Sequence, residues 1–156
     1  MSTRVLLSCK HKVISDGIAA VLKTHSDMHL VGMAEDDAQT QALCEQMHPQ
    51  VVLVGVDPRC SGDVVLTRWI SQLNPRPEIV AFSIECDRSA VLQMMHAGAT
   101  SFVSTKSSMD ELLQAIRAAA AGRSYLCPSA GVVMVDGLRR SRMATAGAGQ
   151  LGEREE

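Results

Sequence analysis

The sequence has 156 residues, 46% of them hydrophobic and 21% charged. That is enough chain for one globular core, too little for two of full size, and unlike a disordered or collagen-like composition. Fifteen Lys and Arg against seventeen Asp and Glu leave a formal charge of −2, so the chain exerts no overall pull on nucleic acid, and 3% aromatic content argues against a base-stacking surface. No apolar run reaches the ~18 residues of a membrane span, and the first residues lead straight into a strand-like run, so a cytoplasmic protein without membrane partners is expected.

In chain order, Arg4 to Ser8 reads as a short buried strand, and Val13 to Leu22 spaces its apolar residues at three and four, as a helix does. A second cycle pairs a strand at His29 to Ala34 with a helix at Asp37 to Met47, whose acidic start suits the positive end of a helix. Val51 to Val56 is apolar and β-branched almost throughout, the pattern of a central parallel strand covered on both faces. Pro58 and Gly62 then mark a loop, and a helix is expected from Asp63 to Leu73. Pro75 and Pro77 end it before a strand at Glu78 to Ile84, which is followed by a helix at Arg88 to Ala97 that Gly98 closes. The fifth cycle joins a strand at Ser101 to Ser104 to a helix at Ser108 to Ala121, with Ser108 and Glu111 spaced as a capping box and Gly122 beyond its end.

Five strand–helix cycles in about 120 residues describe an α/β fold. Its simplest form is a doubly wound five-stranded parallel sheet, flavodoxin-like (βα)5, in the order 2-1-3-4-5, with function at the carboxyl ends of the strands. The domain is expected to occupy residues 1–127. Residues 128–150 read as a linker with a short helix at Ala130 to Arg140 and small, flexible material from Ser141 to Gln150.

Several segments carry a family resemblance. His48 to Val54 (HPQVVLV) looks like the approach to the third strand of bacterial response regulator receiver domains of the NarL/FixJ, LuxR-type class. Ala97 to Phe102 (AGATSF), Glu111 to Arg117 (ELLQAIR) and Gly122 to Pro128 (GRSYLCP) are similar to later segments of the same class. Residues 151–156, with Leu151-Gly152-Glu153-Arg154-Glu155, look like the opening of a LuxR-type helix-turn-helix domain, with Gly where Thr is usual. The resemblance implies a receiver-like fold and a two-component transcription regulator that meets DNA through a helix-turn-helix domain absent from this chain.

It also implies a phosphorylation site, and there the residues depart from the family. The acidic pair that would hold magnesium falls on Cys9 and Lys10, the phosphoacceptor aspartate on Gly55, the switch hydroxyl on Ser83 and the switch lysine on Thr105. Glycine has no carboxylate to phosphorylate, and an ammonium stands where a hard cation needs oxygen ligands. Asp57 is two residues too far along the chain to substitute, and Lys106 reads as a surface lysine. The reading is a pseudo-receiver: no phosphoacceptor, no catalysis, no metal and no cofactor, with Lys10 pairing Asp57 or Glu85 in a fixed ion pair.

Five cysteines in no Cys-x-x-Cys pair argue against a disulfide framework or zinc ribbon. Cys9, Cys60 and Cys86 follow strands one, three and four and form a candidate thiol cluster, while Cys44 and Cys127 read as packing residues. The five histidines show no metal-ligand helical spacing. A homodimer is expected, through helices one and five or through the helix 4, strand 5, helix 5 face. The main reading is thus a phosphorylation-independent regulatory domain that dimerises or binds a partner. A small-molecule or thiol/metal sensor is the alternative. A flavodoxin-like cofactor protein is weaker still, because Ser8-Cys9-Lys10-His11-Lys12 replaces a glycine-rich phosphate loop.

Overall fold

The computed structural model describes residues 2–57, 62–106 and 108–155, with side chains to residue 143. Its elements alternate: β1 (Thr3–Ser8), α1 (Lys12–Lys23), β2 (Met28–Ala34), α2 (Asp37–Met47), β3 (Val51–Gly55), α3 (Gly62–Ser71), β4 (Glu78–Ser83), α4 (Arg88–Ala97), β5 (Ser101–Ser104), α5 (Met109–Ala120) and α6 (Pro128–Glu155). All strand pairs are parallel, and the sheet order is β2-β1-β3-β4-β5.

The two-residue period of the strands divides the core. Val5, Leu7, Val51, Leu53, Val80, Phe82 and Val103 point into one layer, where Ile18 and Leu22 of α1 and Leu112, Leu113 and Ile116 of α5 cover them. Leu6, Val52, Val54, Ile79, Ala81 and Phe102 point the other way, against Leu66 and Ile70 of α3 and Val91 and Met94 of α4. Burial on both faces is why these strands read as continuous apolar runs.

Local chemistry sets the helix ends. Asp36 caps α2 by accepting the Gln39 N–H at 2.7 Å, Asp87 caps α4 through the Ala90 N–H at 3.1 Å, and Ser108 caps α5 through the Glu111 N–H at 3.4 Å. Gly98 ends α4 with φ of 125°, and a Cβ there would lie 2.6 Å from Cβ of Ser71, so both conformation and space require glycine.

One boundary differs from expectation. Residues 128–155 form one 28-residue helix, not a short helix followed by an irregular linker. Pro128 occupies the helix start, where its missing N–H costs nothing, and the run that follows contains no second proline. Ala130 is fully buried, Val133 and Met134 pack on the α3/α4 layer, and Gly137 lies against Leu92, so α6 covers one side of α4. Among the described residues no helix is long and apolar enough to cross a membrane.

Candidate functional site

In a doubly wound sheet the chain leaves adjacent strands in opposite directions at one point, which opens a crevice at their carboxyl ends. Here that point lies between β1 and β3. A cleft of about 300 Å³ opens there, lined by Cys9, His11 and Ile14 after β1, Gly55, Val56 and Asp57 at the end of β3, Phe82, Ser83, Ile84 and Glu85 at the end of β4, and Thr105 after β5. Of the expected pocket residues, Cys9, Gly55, Asp57, Ser83 and Thr105 therefore share one cleft, with Lys10 beside it.

The floor is closed rather than vacant. Gly55 pairs with Phe82 across β3 and β4, which turns both residues to the same face. A Cβ on Gly55 would lie 3.1 Å from Cζ of Phe82 and 3.2 Å from Sγ of Cys9, inside ordinary van der Waals separation. Phe82 is 2% exposed and Cys9 is 4% exposed, so neither is a loose surface group able to swing clear. Burial pushes the Cys9 thiol above its ordinary pKa, and the thiol donates to the His11 carbonyl at 3.5 Å. Cys9 is a packed thiol, not an activated one.

Beside this floor sits an ion cluster built around a carboxylate outside the expected pairing. Lys10 Nζ lies 3.5 Å from Asp63 Oδ1 and 3.8 Å from Asp37 Oδ1, while Glu85 pairs with Lys106 at 3.1 Å. The expected Lys10–Glu85 pairing gives way because the first turns of α2 and α3 bring their carboxylates to the β1 loop. Asp63 is the residue that sequence reasoning missed. It is 2% exposed, and its second oxygen accepts the Asp57 N–H at 2.9 Å, so it ties the β3–α3 loop to Lys10. Burial holds its carboxyl above the ordinary carboxylate range, and the Asp57 N–H and Lys10 offset only part of that. Nothing in the sequence separates Asp63 from any acidic residue in the first turn of a helix.

The remaining groups tie the strand ends together. The Ser83 carbonyl accepts the Thr105 N–H at 2.8 Å and Oγ1 at 3.4 Å, and Ser104 Oγ donates to the Ile84 carbonyl at 3.0 Å. Ser83 itself is buried, 4% exposed, at the rear of the cleft. His11 Nε2 lies 3.9 Å from Asp57 Oδ2.

The expected thiol cluster does not assemble as a unit. Cys9 belongs to the α1/α5 layer, whereas Cys86 packs on the opposite layer with its Sγ 3.3 Å from that of Cys127. Alternation along the strands puts the two loops on different sides of the sheet. Cys60 lies outside the described residues. Among the described residues no three His, Cys, Asp or Glu side chains are grouped to hold a metal. Magnesium does not fit this rim: the side chains at the end of β1 are a buried thiol and an ammonium, and Lys10 occupies the carboxylates that an incoming cation would need.

The fold agrees with known proteins. A family model for the response regulator receiver domain matches residues 5–117. The transcriptional regulatory protein LiaR of Bacillus subtilis is 28% identical over 138 residues, covering 88% of this chain and 65% of that protein. The uncharacterized transcriptional regulatory protein YxjL of the same species is 32% identical over 122 residues, covering 78% of this chain and 56% of that one. The chain thus spans a little over half to about two-thirds of the length of these relatives. Among solved structures, a LuxR-family two-component response regulator from Aurantimonas superposes with a TM-score of 0.79 at 25% identity, over 87% of this chain and 97% of that one. The isolated receiver domain of RcsB from Salmonella enterica shares the fold with a TM-score of 0.75 at 15% identity, over 85% of this chain and 99% of that one. With its parallel 2-1-3-4-5 sheet and its cleft at the β1/β3 crevice, this chain belongs to the response regulator receiver domain family.

Proposed function

We propose that this receiver domain works without aspartyl phosphorylation, as the non-catalytic regulatory part of a cytoplasmic LuxR-type transcription regulator. It acts by forming a homodimer or presenting a surface to a partner, and so positions a DNA-binding domain on paired half-sites. One observation carries the reading: at the end of β3, Gly55 offers no nucleophile, and Phe82 and Cys9 take the space a larger side chain would use. The Lys10–Asp63 pair supports it, because a permanent internal cation stands in for a metal and holds the β1 and β3 loops together without any signal. The transcription-regulator names of LiaR and YxjL support the DNA-binding role of the longer protein.

The test is light scattering and intact mass of this chain, with and without acetyl phosphate and magnesium. Neither mass nor oligomeric state should change; a donor-dependent shift in either would refute the reading. A second reading rests on the cleft itself, whose volume of about 300 Å³ falls at the lower end of small-ligand sites. Here a small, largely apolar molecule would replace phosphate as the signal. A compound that raises the melting temperature of the wild type, and not of a variant with Ile14→Gln in the cleft wall, would favour this sensor role.

A further inference from the structure

We propose that Cys86 and Cys127 form an oxidisable dithiol whose disulfide ties the β4–α4 loop to the start of α6. Cys86 lies three residues beyond the end of β4, immediately before the Asp87 cap of α4, and Cys127 immediately precedes Pro128, the first residue of α6. The two are 41 positions apart in sequence, yet both are free thiols with Sγ atoms 3.3 Å apart. A disulfide needs about 2.0 Å, so roughly 1.3 Å of approach between the two sulfurs is required.

The surroundings fix the roles of the two thiols. Cys127 is 1% exposed and its backbone is held at both ends: its N–H donates to the Phe102 carbonyl at 3.0 Å and its carbonyl accepts the Gly131 N–H at 2.8 Å. Cys86 is half-buried at the start of the α4 cap. Cys86 is therefore the thiol that meets a reagent, and Cys127 is the one that resolves it. With a low-molecular-weight disulfide such as glutathione disulfide, the Cys86 thiolate attacks one sulfur and expels one glutathione thiolate. Cys127 loses its proton to solvent and attacks the Cys86 sulfur of the mixed disulfide, expelling the second. Two protein thiols are oxidised by two electrons, and the reagent is reduced to two thiols.

Burial and the neighbouring thiol push Cys86 up to about 12, so the thiolate is scarce at neutral pH and the reaction is slow there. The dithiol is suited to sustained oxidising conditions, not to rapid peroxide sensing. Its product changes what holds α6. In the reduced protein this helix is kept on the domain by packing of Ala130, Val133 and Met134, and the disulfide adds a covalent anchor at its first turn.

The experiment incubates the 156-residue chain with glutathione disulfide at pH 7 and pH 9, then maps peptides after alkylation without reduction. The expected product is a Cys86–Cys127 linked peptide, formed about tenfold faster per pH unit. The loop closed by the bond predicts a rise in melting temperature on the order of 10 °C, and amide exchange should slow in the first turn of α6. Cys86→Ser, a change at the more accessible position, should keep the reduced melting temperature and lose the response to oxidant. Persistent glutathione on Cys86, a link from Cys86 to Cys60, or oxidation that lowers the melting temperature would each overturn the proposal.

Discussion

Placing an aspartate at the end of β3, Gly55→Asp, should cost stability and confer no phosphorylation. The Cβ alone arrives 3.1 Å from the Phe82 ring and 3.2 Å from Cys9 Sγ, about half an ångström inside a comfortable carbon contact, on a floor where both neighbours are buried. Overpacking of this kind costs about 1–3 kcal/mol. The carboxylate beyond it meets an aromatic ring with no cation described at that point, which adds roughly 1 kcal/mol even when the group faces the open side of the cleft. A loss of about 2–4 kcal/mol corresponds to roughly 6–12 °C in melting temperature for a chain of this length. Urea unfolding and thermal melts of wild type, Gly55→Asp, Phe82→Ala and the double variant would measure it. Phe82→Ala alone should cost about 3–5 kcal/mol, and the double variant should be more stable than the sum of the singles by at least ~1 kcal/mol, because the small residue frees the space the aspartate needs. Additive effects, a Gly55→Asp variant as stable as wild type, or uptake of a phosphoryl group by that variant with magnesium present would each refute the packing argument.

Burial of Asp63 makes stability depend on pH. Asp63 titrates above its ordinary 3.8 because it is buried, so between the two values the folded chain holds more protons than the unfolded one, and stability falls as pH rises through that window. Asp63→Asn should remove that slope in a series of urea melts from about pH 4 to pH 7; an unchanged slope would assign it to other groups. Lys10→Ala should cost about 1 kcal/mol at neutral pH, and the loss should vanish in acid once Asp63 is protonated, whereas a pH-independent loss would mean that Lys10 acts through packing. On α6, a Cβ at Gly137 would meet only the flexible end of Leu92, at 3.0 Å. Gly137→Ala should therefore be tolerated or raise helicity, while Gly137→Leu should overpack the contact by about 1–3 kcal/mol and speed amide exchange along α6; equal exchange in both would place α6 elsewhere.

The sheet, its order and nearly every helix were legible in the sequence because each depends on local pattern. Apolar runs covered on both faces, the acidic helix start at Asp37, the cap at Ser108 and Gly98 each act over a few residues, and burial imposes the period of the runs. The glycine at the end of β3 was also legible, since it concerns which atoms exist at one position. Partner choice was not. Lys10 meets Asp63, Cys86 meets Cys127, and Phe82 closes over Gly55. Each of these depends on where loops from distant segments come to rest on a twisted sheet. No local signal distinguishes Asp63 from a solvated helix-start carboxylate or Cys127 from a packing residue. The amino-acid sequence determined that β3 ends on a glycine, with no side chain to react, because chemistry is carried by side chains; only the tertiary structure decided which residues stand over that glycine, because contact is set by folding, not by order along the chain.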